Sequence, residues 1–103
     1  MIIYYSSKFE KEYKRLPLVV KKLAEKKEKL FRENPHNPAL KSHQLTGRLK
    51  TYWSFSINYQ YRIIFEFNNG KEVWFHSVGT HEVYKSRLYR SLKLIMKDVV
   101  IST

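Results

Sequence analysis

Two histidines and one arginine are the side chains of this sequence best suited to phosphate chemistry. His43 and His81 bracket a run of strand-like sequence, so both can reach the same edge or end of a sheet. Two imidazoles flanking one phosphate could remove a proton from an attacking hydroxyl and return one to the leaving oxygen, because imidazole titrates near neutrality. On RNA the attacking group would be the ribose 2′-OH, and DNA would be inert. Arg62 lies within an otherwise apolar strand, where its guanidinium needs partners. A structural carboxylate or a bound phosphate could supply them.

The charge pattern favours a polyanion. Lys and Arg number 20 against 9 Asp and Glu, a formal charge of +11. This excess implies a phosphate backbone, an anionic membrane surface or an acidic protein as partner. Between Asn34 and Phe65 there is no carboxylate side chain, whereas Lys41, His43, Arg48, Lys50 and Arg62 all fall there. Tyr84 follows His81 by three residues and precedes Lys85 and Arg87, so a base could stack while the cations hold its backbone. Any of these tyrosines and lysines could equally serve packing or solvation; Tyr52, Tyr59 and Tyr61 share that ambiguity. Trp53 and Trp74 read as core anchors, and His36 and His76 as structural.

Other chemistries find little support. The chain has no cysteine, which removes disulfides, thiolate nucleophiles and thiolate zinc sites. No HExxH motif or paired-carboxylate constellation suggests a metal, and Gly47 and Gly79 do not make a phosphate-cradling loop. No cofactor or metal is expected. With neither a signal-peptide pattern nor a membrane-length apolar segment, the expected location is the cytoplasm, without membrane association.

The elements that must position these groups suggest one α+β domain over residues 1–103. Ile2 to Tyr5 reads as a strand. Ser6 or Ser7 can cap a helix whose face carries Phe9, Tyr13 and Leu16. Pro17 opens a second helix with Val20, Leu23, Ala24, Leu30 and Phe31 as its stripe, and Asn34-Pro35 ends it. From Thr51 the period becomes two, giving three strands with short connections, an antiparallel meander that the helices can cover. Ile63, Phe65 and Phe67 should face away from Arg62, Ile64 and Glu66. Val73, Phe75 and Ser77 should face away from Trp74, His76 and Val78. Asn69-Gly70 suits a tight hairpin. Beyond Gly79-Thr80 the sequence reads as a short loop and a C-terminal helix, with Val99-Val100-Ile101 a strand, tail or partner-binding segment.

Several ordered pieces resemble the RelE/ParE toxin superfamily of type II toxin–antitoxin modules, especially its RelE and YafQ branches. They are the Phe9 to Leu16 helix, Asn34-Pro35, His43-Gln44-Leu45-Thr46-Gly47-Arg48-Leu49, Trp53-Ser54-Phe55-Ser56-Ile57, Tyr61-Arg62-Ile63-Ile64-Phe65 and Gly79-Thr80-His81-Glu82-Val83-Tyr84. The resemblance implies two N-terminal helices on a four-stranded, mostly antiparallel sheet. It also implies a metal-independent endoribonuclease cutting messenger RNA on the ribosome, with an acidic antitoxin as partner and operator DNA bound only through their complex. By the same resemblance His81, Arg62, His43 and Tyr84 are the catalytic set, while the charge pattern makes Lys41, Arg48, Lys50, Lys85 and Arg87 the expected RNA contacts. A second YafQ-type histidine would fall near Ser56 and an acid near Gln60, where this chain departs from that branch. The rival functions are a ParE-like gyrase poison and a non-catalytic basic binding module.

Overall fold

The computed structural model describes residues 1–80. The expected C-terminal helix or tail, and with it His81, Tyr84, Lys85 and Arg87, lies outside the described residues. The chain begins with strand β1 (Ile2–Tyr5) and passes through helices α1 (Ser7–Lys14) and α2 (Leu18–Glu33). It then forms β2 (His43–Gln44), β3 (Trp53–Ser56), β4 (Tyr61–Asn69) and β5 (Glu72–Thr80). Short 3-10 turns occupy Pro38–Leu40 and Gly47–Leu49.

The strands form one sheet in the order β1-β5-β4-β3-β2, with β1 parallel to β5 and every other pairing antiparallel. The class is α+β, but the sheet has five strands rather than four. The additional strand is β2, whose two residues place His43 opposite Ser54 and Gln44 opposite Trp53. Two residues are too few for alternation to be visible in a sequence.

Local chemistry accounts for the element boundaries. Ser6 caps α1, its Oγ accepting from the Phe9 amide at 3.0 Å while donating to the His76 carbonyl at 2.8 Å. Pro17 starts α2, where its lack of an amide hydrogen leaves no helical bond unmade. The turn after β4 depends on Asn69, whose Oδ1 accepts from the Lys71 and Glu72 amides at 2.9 and 3.1 Å.

Both helices cover one face of the sheet. Phe9, Val20, Ala24 and Phe31 pack there with Phe55, Ile63, Phe65, Val73 and Phe75. Phe31 is stacked on Phe55 and set edge-on to Phe65 and Phe75. Arg62, Ile64 and Glu66 alternate with these core residues and therefore point to the face away from the helices.

Strand β5 departs from simple alternation. Ile64 pairs with Ser77 and Phe65 with Phe75, which leaves His76 as the additional residue of a bulge. The bulge changes the parity of the strand, so Val78 joins Val73 and Phe75 in the core, contrary to the expected grouping with Trp74 and His76. Ser77 is buried and donates to Glu12 Oε1 at 2.6 Å, and the same oxygen accepts from the Val78 amide at 3.2 Å. Trp53 packs against the core as expected. Trp74 does not: it stacks on Tyr4, with ring centres 4.8 Å apart.

Candidate active site on the sheet face away from the helices

The site begins with Ser54, which is fully buried in β3. A buried hydroxyl requires a partner, and Ser54 Oγ accepts from Arg62 Nε at 2.6 Å. Because Nε is engaged, the guanidinium plane is fixed and its terminal nitrogens extend toward the edge of the sheet. Arg62 Nη2 lies 3.3 Å from His43 Nδ1 and 3.4 Å from the Lys41 carbonyl oxygen. His43 Nδ1 is itself 3.3 Å from that carbonyl.

This triangle has a tautomeric consequence. Arginine stays protonated, so a hydrogen bond from Nη2 needs a lone pair on His43 Nδ1 and puts the imidazole proton on Nε2. A bond from His43 to the Lys41 carbonyl requires the opposite tautomer, with Nδ1 protonated and Nε2 free to act as a base. One ring cannot satisfy both neighbours through the same nitrogen. Occupation of Arg62 therefore bears directly on which ring nitrogen of His43 carries the proton.

The Lys41 carbonyl is placed by an unusual backbone conformation. Lys41 follows the Pro38–Leu40 turn with φ at +51°, in the left-handed region that non-glycine residues seldom occupy. Neither this contribution nor that of Ser54 could be read from residue type. A lysine suggests its ammonium, and a serine in an alternating strand is unremarkable. The signal that pointed toward Ser54 was the need of an in-strand arginine for partners.

Two more of the expected cations lie among the described residues. Arg48 and Lys50 occupy the exposed turn between β2 and β3, held by Gln44 donating to the Lys50 carbonyl. Leu45 and Leu49 of this connection pack on Tyr52 and Ile64, so the turn folds over the Arg62 face. Burial, supplemented by the Glu66 carboxylate, raises the pKa of Tyr52 above its usual value. At the far end of β4, Tyr61 pairs with Thr80 and Arg62 with Gly79, so β5 ends beside the arginine.

His36 and His76 have structural surroundings. His36 lies against Trp53 and Phe67, while His76 Nε2 is 3.1 Å from Glu66 Oε1 and its ring meets Tyr52 edge-on. Among the described residues, no group of three or more histidine, aspartate or glutamate side chains could hold a metal ion. No helix among them is long and apolar enough to cross a membrane.

A family model described as the RelE-like toxin of the type II toxin–antitoxin system HigB matches residues 5–76. No curated protein matches the sequence. Among solved structures, a YoeB/ParE toxin from Agrobacterium tumefaciens superposes with a TM-score of 0.68 at 16% identity, covering 79% of this chain and 99% of the other. The YoeB dimer from Staphylococcus aureus gives 0.66 at 20% identity, covering 79% and 97%. The E. coli YafQ toxin in its complex with DinJ gives 0.62 at 22% identity, covering 79% and 92%.

Proposed function

Because the chain belongs to the RelE-like HigB toxin family of type II toxin–antitoxin systems, we propose that it is a metal-independent endoribonuclease that cleaves messenger RNA on the ribosome. The observation that carries this reading is the Arg62–His43 pair, with a guanidinium anchored by buried Ser54 and directed at an imidazole on the sheet face away from the helices. The sequence from Asn34 to Phe65 carries Lys41, Arg48, Lys50 and Arg62 and no carboxylate side chain.

In the proposed reaction, a substrate phosphate takes the Arg62 terminal nitrogen. His43 Nδ1 then donates to the Lys41 carbonyl, and Nε2 accepts the proton of the ribose 2′-OH. The 2′-oxygen attacks phosphorus, and the bond from phosphorus to the 5′-oxygen breaks. The leaving oxygen takes a proton from a general acid, a role assigned to His81. The products are a 2′,3′-cyclic phosphate and a free 5′-hydroxyl. Arg62 stabilises the charge that accumulates on the nonbridging oxygens in the transition state. Tyr84 would orient the scissile group, while Lys41, Arg48, Lys50, Lys85 and Arg87 hold the flanking backbone.

The partner is an acidic antitoxin, consistent with a charge of +11 and with DinJ–YafQ and YoeB–YefM complexes among the similar structures. Operator DNA would be bound through that complex, and the cytoplasm is the expected compartment. Cleavage of a defined message in a purified translation system tests the activity. Arg62→Ala and His81→Ala should each slow cleavage by at least ~10², the scale expected for loss of charge stabilisation or acid–base catalysis. Near-wild-type cutting by both variants would refute the assignment, and intact messages with arrested supercoiling would instead indicate a gyrase poison.

A further inference from the structure

The three tyrosines around the β3–β4 hairpin have different surroundings. Tyr52 is buried, and Tyr61 is partly buried against the main core. Tyr59, at the tip of the hairpin, is 101% exposed. Among the described tyrosines, phenylalanines and tryptophans it is the one with neither a ring partner nor a place in the core.

The backbone beneath it is well fixed. Asn58 Oδ1 accepts from the Gln60 and Tyr61 amides at 2.9 and 2.8 Å, and Ser56 Oγ donates to the Asn58 carbonyl at 2.7 Å. The Ile57 amide closes the turn onto the Tyr61 carbonyl at 2.9 Å. None of these bonds uses the Tyr59 side chain, so the fold does not require an aromatic residue here. The turn presents that ring to solvent within three residues of Arg62, hence no more than about 11 Å away between Cα atoms.

We propose that Tyr59 is a stacking residue for an RNA base flanking the phosphate held by Arg62, and that it contributes to the choice of cleavage position. This inference rests on the ribonuclease reading for the identity of the substrate. Stacking on one face of an isolated ring suits a single-stranded base, whose π-face is available whatever its identity. A protein contact would suit the site less well, because aromatic anchors at protein interfaces are enclosed by a packed surround. The residues beside Tyr59 are the polar amides Asn58 and Gln60. Lys41 and Arg62 of the carboxylate-free stretch lie toward this end of the sheet and attract a nucleic acid to it.

The test compares Tyr59→Ala, Tyr59→Leu and Tyr59→Phe in two assays. Fluorescence anisotropy measures binding of a 2′-O-methyl oligoribonucleotide, which lacks the attacking hydroxyl. Cleavage of a translated message gives KM, kcat and the distribution of cut sites. Loss of one stacked base should weaken oligonucleotide binding and raise KM by about 5- to 100-fold in Tyr59→Ala and Tyr59→Leu. Their kcat should change much less, their cut sites should redistribute, and Tyr59→Phe should behave as wild type. Wild-type behaviour of Tyr59→Ala, or equivalence of the Leu and Phe variants, would overturn the stacking role. So would loss of a protein partner with RNA binding intact. If Tyr59→Ala alone is silent while Arg62→Ala abolishes cutting, the stacking role fails and the ribonuclease reading stands. If Tyr59-dependent oligonucleotide binding occurs without any message cleavage, the ribonuclease reading fails and the stacking role stands.

Discussion

Lys41 contributes through its main chain, and at the residue scale that separates two explanations of its presence. A left-handed φ costs a non-glycine residue about 1–2 kcal/mol, whereas glycine adopts it freely at some entropic cost in the unfolded chain. Lys41→Gly should therefore keep the carbonyl beside His43 and Arg62 and leave thermal stability unchanged or raised by up to ~1 kcal/mol. If the carbonyl is the important group, message cleavage should persist; a large loss would instead point to the ammonium. A second residue-scale effect concerns Tyr5, whose hydroxyl donates to Glu28 at 2.6 Å. Burial, followed by this bond, raises its pKa from 10.0 to about 12. The folded state holds that proton more tightly than the unfolded chain, so the resulting stabilisation is complete below about pH 10 and disappears as pH rises toward 12. Denaturant unfolding of Tyr5→Phe should show a shallower loss of stability than wild type across that window. The bare sequence warned of Arg62 and His43, because a guanidinium within a strand and an imidazole before one are conspicuous types. It gave little warning of Ser54 or the Lys41 carbonyl, whose roles depend on burial and backbone angle.

At the scale of elements, Ser6 joins three parts of the chain. It caps α1, donates to the carbonyl of the bulged His76, and its amide donates to the Phe75 carbonyl at 3.0 Å. Replacing its hydroxyl removes both side-chain bonds, so Ser6→Ala should lower unfolding free energy by about 1–2 kcal/mol, measured by chemical denaturation. The helices, their proline and asparagine boundaries, and the strands β3 to β5 were legible because apolar spacing and turn residues are local properties. The bulge was not, because Phe75-His76-Ser77-Val78 alternates acceptably in either parity. Its position is decided by the register against β4 and by Glu12, a residue of α1 distant in sequence, receiving the Ser77 hydroxyl and Val78 amide. The pairing of β2 was hidden for a related reason: its two residues are defined by β3 rather than by their own pattern.

For the whole molecule, the +11 charge makes the proposed affinity for RNA a function of ionic strength. Binding of the 2′-O-methyl oligonucleotide should weaken linearly on a log–log plot against salt. Arg62→Ala should reduce the magnitude of the slope by about 0.7, the value for one phosphate contact on a single strand. An unchanged slope would place Arg62 outside the phosphate track. The order of the strands has another consequence, for the birth of the protein. Ile2 and Ile3 find their partners in Glu72 and Val73, so a nascent chain has made nearly all of this sheet before its first strand can dock. Until then α1 and α2 carry Phe9, Val20 and Phe31 without the surface that later covers them. The anchorage of Arg62 by Ser54 belongs to the β3–β4 hairpin alone, whereas β5, which brings Gly79 beside that arginine, is the last of the described strands to be made. A chain still short of β5 thus has Arg62 held by Ser54 but lacks the strand that completes the described sheet, so this arrangement forms only once residue 80 has been made.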